Sequence, residues 1–156
     1  MAKTPENSAL EFLSSRKTLV MATAGRNGAP NASYAPFVQR TPWLYVYTST
    51  RSKHTKNMTE TTRASVMFIE DETRTGNFFA RERFTCECRA EVVDRESNEW
   101  RTVVFAMICP LPDFMLFRLI PNGGLYVRGF GQAFEVSADM KKSERVVSDR
   151  IGLKTD

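Results

Sequence analysis

From Arg83 to Val92 apolar and polar residues alternate one for one. Phe84, Cys86, Cys88, Ala90 and Val92 fall on one side, and Arg83, Thr85, Glu87, Arg89 and Glu91 on the other. A period of two sends successive side chains to opposite faces of a strand, so residues 78–93 predict one long, half-buried β-strand. Shorter runs at 18–24, 31–38 and 64–69 predict three more strands, with Gly25, Asn27 and Gly28 as turn residues between the first two. Residues 43–48 are apolar on both sides, Trp43, Tyr45 and Tyr47 against Leu44 and Val46, as in a central strand covered on both faces. Two last strands, 113–120 and 125–136, flank the turn Pro121-Asn122-Gly123-Gly124.

Helical spacing is confined to short segments. Residues 7–15 place Ala9, Leu10, Phe12 and Leu13 on one side, and Arg16 and Lys17 close that helix at its negative end. The polar segment 52–62 predicts a second short helix. Asp94 is placed to cap a third, with Trp100, Val103, Val104 and Met107 as its stripe and Pro110 and Pro112 as its stop. Six or seven strands joined mainly as hairpins predict a mainly β domain, a small antiparallel barrel rather than a parallel α/β sheet. That domain spans residues 1–136, with the N-terminal helix within 1–17. The polar tail, 137–156, has only the spacing of Met140, Val147 and Ile151, which leaves a docked helix and disorder both open.

Composition narrows the class. A chain of 156 residues with 42% hydrophobic and 11% aromatic residues has enough apolar side chain for one core. No stretch approaches the ~20 apolar residues of a membrane-spanning helix, and the first residues lack a secretory apolar run, so a cytoplasmic protein is expected. Cys86, Cys88 and Cys109 have no metal-ligand spacing and imply neither a disulfide framework nor a zinc site. The formal net charge of +4 is scattered along the chain, without the basic stripe and spaced aromatics of a nucleic-acid binder.

One segment concentrates polar chemistry. Ser49-Thr50-Arg51-Ser52-Lys53-His54-Thr55-Lys56-Asn57 brings hydroxyls, cations and the only His to the turn between a strand and a helix. Free backbone N–H groups at a helix start, with hydroxyls and cations beside them, suit an anion such as phosphate; an ordinary capped helix start has the same composition. Glu70-Asp71-Glu72 could hold a cation or exchange a proton, and equally could face water at a strand end. No nucleophile motif, Walker loop or dinucleotide fingerprint is present.

Taken in order, several blocks resemble one family: Ala29-Pro30-Asn31-Ala32-Ser33-Tyr34-Ala35-Pro36-Phe37, Ser52-Lys53-His54-Thr55-Lys56-Asn57-Met58, Ala64-Ser65-Val66-Met67-Phe68-Ile69-Glu70-Asp71-Glu72, Phe79-Ala80-Arg81-Glu82-Arg83-Phe84-Thr85 and Gly129-Phe130-Gly131-Gln132-Ala133. The chain is similar in these to the HugZ/HutZ-type haem-utilisation branch of the pyridoxamine 5'-phosphate oxidase-like FMN-binding split-barrel family. The resemblance implies a six-stranded antiparallel split β-barrel working as a homodimer, with flavin or haem in clefts between subunits and oxidoreductase chemistry on a small molecule. It implies a cofactor site made by Ser33, Tyr34, Ala35 and Pro36 on one strand, Ser49, Ser52, Lys53, His54 and Asn57 around the polar turn, and Arg83. Ser33 and Val38 stand where flavin-binding relatives carry cations, His54 stands where they carry Lys, and Arg83 replaces a flavin-contacting Gln. Haem-handling relatives take an axial His from a C-terminal extension, whereas residues 137–156 contain none. FMN, haem and a ligand-binding module without turnover are the readings this leaves open.

Overall fold

The alternating run becomes the hub of the architecture. The computed structural model describes residues 2–107 and 110–146, and Cys109, Val147 and Ile151 lie outside them. Its elements are α1 (Pro5–Ser14), β1 (Thr18–Ala24), β2 (Pro30–Arg40), β3 (Trp43–Ser49), α2 (Lys53–Thr61), β4 (Arg63–Ile69), β5 (Arg83–Val92), α3 (Asn98–Met107), β6 (Phe114–Pro121), β7 (Gly124–Gly129), β8 (Gln132–Val136) and β9 (Ser143–Arg145). The sheet runs β4-β1-β2-β3-β6-β5, and pairing of β4 with β5 closes it into a six-stranded antiparallel barrel. The N-terminal end of β5 also pairs with β7, which carries β8 and β9 away from the closed ring.

Alternation along these strands fills the interior. Leu19, Met21, Val46, Val66, Phe68, Phe84, Phe117 and Leu119 are almost fully buried in one cluster, which α1 covers with Ala9, Phe12 and Leu13. Tyr45, Tyr47 and Leu116 point the other way and pack under α3 against Trp100, Val103 and Val104. Both faces of β3 are therefore covered, as its sequence requires. Arg118 ties α3 down, donating to both oxygens of Glu99 (2.7 and 3.0 Å) and to Glu91 (2.8 Å), while Tyr45 donates to Glu99 at 2.6 Å.

Several boundaries differ from the sequence pattern. The strand expected from residue 78 begins at Arg83, because the Asn77 side chain accepts from the Phe79 N–H and starts a 3-10 turn over Phe78–Ala80. Val92, placed by alternation with the core residues, is 53% exposed at the strand end. The run 125–136 breaks into a hairpin at Gly131, whose φ of +67° lies in the left-handed region open to glycine. The third helix starts at Asn98: Ser97 Oγ accepts from the Trp100 N–H at 3.1 Å, while Asp94 caps only the preceding turn. Residues 137–146 are neither helix nor disorder. Ser137 exchanges hydrogen bonds with Lys142, Met140 is buried, and β9 pairs with β8.

Gly124 shows how tight the joint between barrel and extension is. A Cβ there would come within 2.3 Å of the Phe84 ring, which is itself fully buried. Gly124→Ala is therefore expected to lower unfolding stability by about 1–3 kcal/mol, the usual cost of overpacking. Denaturant unfolding measures this, and an unchanged midpoint would show that the ring yields freely.

Candidate functional site

Strand alternation divides the expected residues of β2 between two faces. Ser33 turns toward α2, where its Oγ lies 2.9 Å from His54 Nδ1 and 3.4 Å from the Met21 carbonyl. Ala35 is buried in the barrel core, so only its backbone is available to a ligand. Tyr34 and Pro36 point outward and are exposed, Tyr34 to 65%. The cross-strand partner of Tyr34 is Val20, 38% exposed, and Val20 in turn pairs with Met67. Tyr34, Val20 and Met67 thus form an apolar row over three strands, with exposed Pro36 beside it. Sequence alternation alone could have found this outer row, since Val20 and Met67 oppose Met21 and Val66.

The polar turn is built from the inside outward. Thr55 Oγ1 donates to the Ser49 carbonyl at 2.6 Å and lies 2.8 Å from Thr48 Oγ1, which fixes the start of α2 against the end of β3. The Ser52 N–H donates to the Ser49 carbonyl, and the Ser52 side chain makes no capping bond. Arg51 and Lys53 are exposed around it and form no ion pair among the described residues. Asn57 is buried and donates to Thr23 Oγ1 at 3.0 Å, so its side chain braces α2 on β1. Arg83 stands apart, paired across the sheet with Ile69 and Val127, its guanidinium donating to the Arg81 carbonyl at 2.8 Å.

His54 is the most constrained of these groups. Burial holds its imidazole below the ordinary value, so the ring is neutral near pH 7. Ser33 has one hydroxyl proton. With that proton on the Met21 carbonyl, Nδ1–H donates to Ser33 and Nε2 offers a lone pair; with it on Nδ1, Nε2–H becomes a donor. In both cases Nδ1 fixes the ring and Nε2 remains for a ligand.

Glu70 and Asp71 are engaged locally. Glu70 accepts from the Glu82 N–H at 2.9 Å, and Asp71 accepts from the N–H and hydroxyl of Thr73, bonds that hold its carboxyl below the ordinary range. Glu72 pairs with Arg81 at 3.3 Å. Among the described residues no group of three or more His, Cys, Asp or Glu is placed to hold a metal ion. No helix among them is long and apolar enough to cross a membrane.

This geometry can be compared with known proteins. The pyridoxamine 5'-phosphate oxidase family model matches residues 6–127, which include all six strands of the barrel, the first part of β7 and every expected site residue. The chain belongs to that family. It is 44% identical over 139 residues to heme oxygenase HutZ of Vibrio cholerae, covering 83% of this chain and 79% of the relative. A crystal structure of V. cholerae HutZ, described there as a heme storage protein, superposes with a TM-score of 0.70 at 40% identity, over 76% of this chain and 91% of the other. ChuZ of Campylobacter jejuni superposes at 0.77 with 27% identity, over 94% of this chain and 64% of the other. The split-barrel fold expected from the sequence is the one found.

The chain's single His makes the site readable by pH. The folded His54 binds its proton less readily than the unfolded chain does. Its stabilising contribution is therefore complete above the ordinary imidazole value of about 6.5 and is lost as pH falls through the lower folded value. Thermal unfolding between pH 7 and 5 should show Tm falling with pH, with a shallower fall in His54→Asn. Parallel profiles would show that the ring is not held neutral by the fold.

Proposed function

We propose that the chain is a cytoplasmic homodimer that binds haem between its subunits and acts in haem utilisation as an oxidoreductase that degrades it. The observation that carries this reading is the uncovered apolar row of Tyr34, Val20 and Met67, which lies on the outer face of the strand whose Ser33 holds His54 from the inner face. An aromatic side chain exposed to 65% within an apolar patch is what an interface leaves when its partner is taken away. The 44% identity to a heme oxygenase supports the ligand and the chemistry.

The residues fit haem. Its flat macrocycle needs an apolar wall, which Tyr34, Val20, Pro36 and Met67 supply, and its two carboxylates need cations, which Arg51 and Lys53 supply at the start of α2, with Arg83 apart from them on β5. Ser33 holds the His54 ring, and His54 Nε2 serves as a positioning hydrogen-bond group. Haem supplies the oxygen and electron chemistry when bound, while the protein contributes orientation, charge and exclusion of water. FMN is the second reading, supported by the uncapped hydroxyl of Ser52 at the start of α2, a seat for phosphate. It is the weaker one because Ser33, Val38 and a neutral His54 leave fewer fixed charges for a dianion.

Titration with hemin and, separately, FMN decides between them. Hemin should give a saturating Soret shift at one haem or fewer per subunit, and FMN no quenching of flavin fluorescence. In His54→Ala the shift should persist with binding about tenfold weaker, the loss of roughly one hydrogen bond. A spectrum matching free hemin would overturn the haem reading, and complete loss of the band in the variant would make His54 the iron ligand. Haem that binds but yields no product with reductant and oxygen would make the protein a store.

A further inference from the structure

The loop between β4 and β5 holds two aromatic rings in water. Phe78 is 73% exposed and Phe79 88%. The loop beneath them is firmly tied: the Arg81 guanidinium donates to the Glu70 carbonyl at 2.8 Å, the Glu82 N–H to the Glu70 carboxylate at 2.9 Å, and the Phe79 N–H to the Asn77 side chain at 3.0 Å. The turn Phe78–Ala80 packs against β7. Val127 of that strand, partner of Arg83 on the outer face, is buried although it belongs to neither core cluster, so the loop lies over the outer face. At the other end of the same two strands a cleft of about 620 Å3 opens where the side chains are small, lined by Ala22, Ala24, Pro30, Ser65, Ile120 and Pro121.

We propose that Phe78 and Phe79 of each subunit fill this cleft in a second copy of the chain, a contact that rests on the homodimer reading above and gives it a geometry. The outer pairs of β4 and β5 run Arg63–Arg89, Ser65–Glu87, Met67–Thr85 and Ile69–Arg83. Ala64, in the cleft wall, and Glu70, where the loop starts, each stand three residues from Met67, about 10 Å along the strand. A two-fold axis through the Met67–Thr85 pair therefore carries each aromatic turn onto the partner's cleft, the self-complementary pairing that such an axis demands. That axis meets the face at its apolar row, in which Val20 precedes Met67 and Leu125, 42% exposed, follows Thr85. Charge is opposite at the two ends: the loop carries Glu70, Asp71, Glu72 and Glu82 against Arg74 and Arg81, and the cleft Arg63 and Arg89 against Glu87. Four phenyl rings seated at about 150 Å2 each bury about 600 Å2, half of the ~1,200 Å2 at which specific interfaces begin, and the row between them supplies more. Because hydrogen bonds already hold the turn, little ordering entropy opposes docking. Tyr34 and Pro36, on β2 at the flank of this contact, stay beside the partner for haem.

The test begins with sedimentation of the full-length wild-type chain. A monomer would overturn the homodimer reading and this contact with it, whereas a dimer leaves that reading standing and the contact to be judged by crosslinking. Unlabelled protein with a photoreactive benzophenone side chain at position 79 is mixed with 15N-labelled wild type, left to exchange subunits and irradiated. The expected product joins the unlabelled peptide holding position 79 to a labelled peptide from 22–30, 62–65, 87–89 or 120–122. Crosslinks confined to the unlabelled chain, or to labelled peptides elsewhere, would overturn the contact and spare the dimer. In solution, Phe78→Ser with Phe79→Ser should raise the dimer dissociation constant about 30-fold or more, the loss of an anchoring aromatic pair. Ser65→Trp, which fills the cleft from the strand's outer face, should weaken the dimer comparably, and Phe105→Ser, at a comparably exposed ring on α3, should not. Unchanged dissociation in the first two variants, or an equal loss in the third, would also overturn it.

Discussion

Everything in this molecule depends on the ladder that joins β4 to β5. Seven cross-strand pairs, from Arg63–Arg89 to Ile69–Arg83, turn a meandering sheet into a ring and remove the two edges that an open sheet would expose. Closure is what gives β5 an inner row of Phe84, Cys86, Cys88 and Ala90 and an outer row of alternating charge. It also explains why this strand has the cleanest period in the chain. A strand that pairs with β4, β6 and β7 cannot slip by one residue without driving Arg83, Glu87 and Arg89 into the core.

The ring then sets the chemistry of β2. Because inner positions must fill the barrel and outer ones need not, Ser33 reaches inward to the buried side of α2, while Tyr34 next to it is exposed. One strand thereby supplies both a polar anchor for His54 and an apolar wall. The cations at the start of α2 remain in water, where charge costs least, and Thr55 and Asn57 hold the helix by buried bonds to β3 and β1. On a single chain this is an open surface, and in the proposed dimer a second copy would supply the opposite wall of the cleft.

Much of this was legible in the residues. Period-two patterning located the six strands that close the barrel, and the two-sided apolar run at 43–48 identified a central strand that is indeed covered by the core and by α3. What the pattern could not show were boundaries set by single hydrogen bonds, such as Asn77 starting a 3-10 turn and Ser97 replacing Asp94 as the helix cap. Nor could it separate the roles within the polar turn. Asn57, chosen as a ligand contact, carries its amide inward to Thr23, and Arg83 is distant from the turn in sequence and bonded to its own loop. Side chains of one type look alike in a sequence until burial decides which bonds they must make.

The central claim is that the apolar outer row of β1 and β2 is a subunit interface and that haem binds only when it is formed. Sedimentation of the wild-type protein and of Tyr34→Glu, recorded at the haem absorbance as well as in the ultraviolet, tests both parts together. The account predicts a wild-type dimer with haem sedimenting at its boundary, and a folded, monomeric Tyr34→Glu that leaves haem in the free fraction. A monomeric variant that carries haem as the wild type does, or a wild-type monomer that does so, would contradict it.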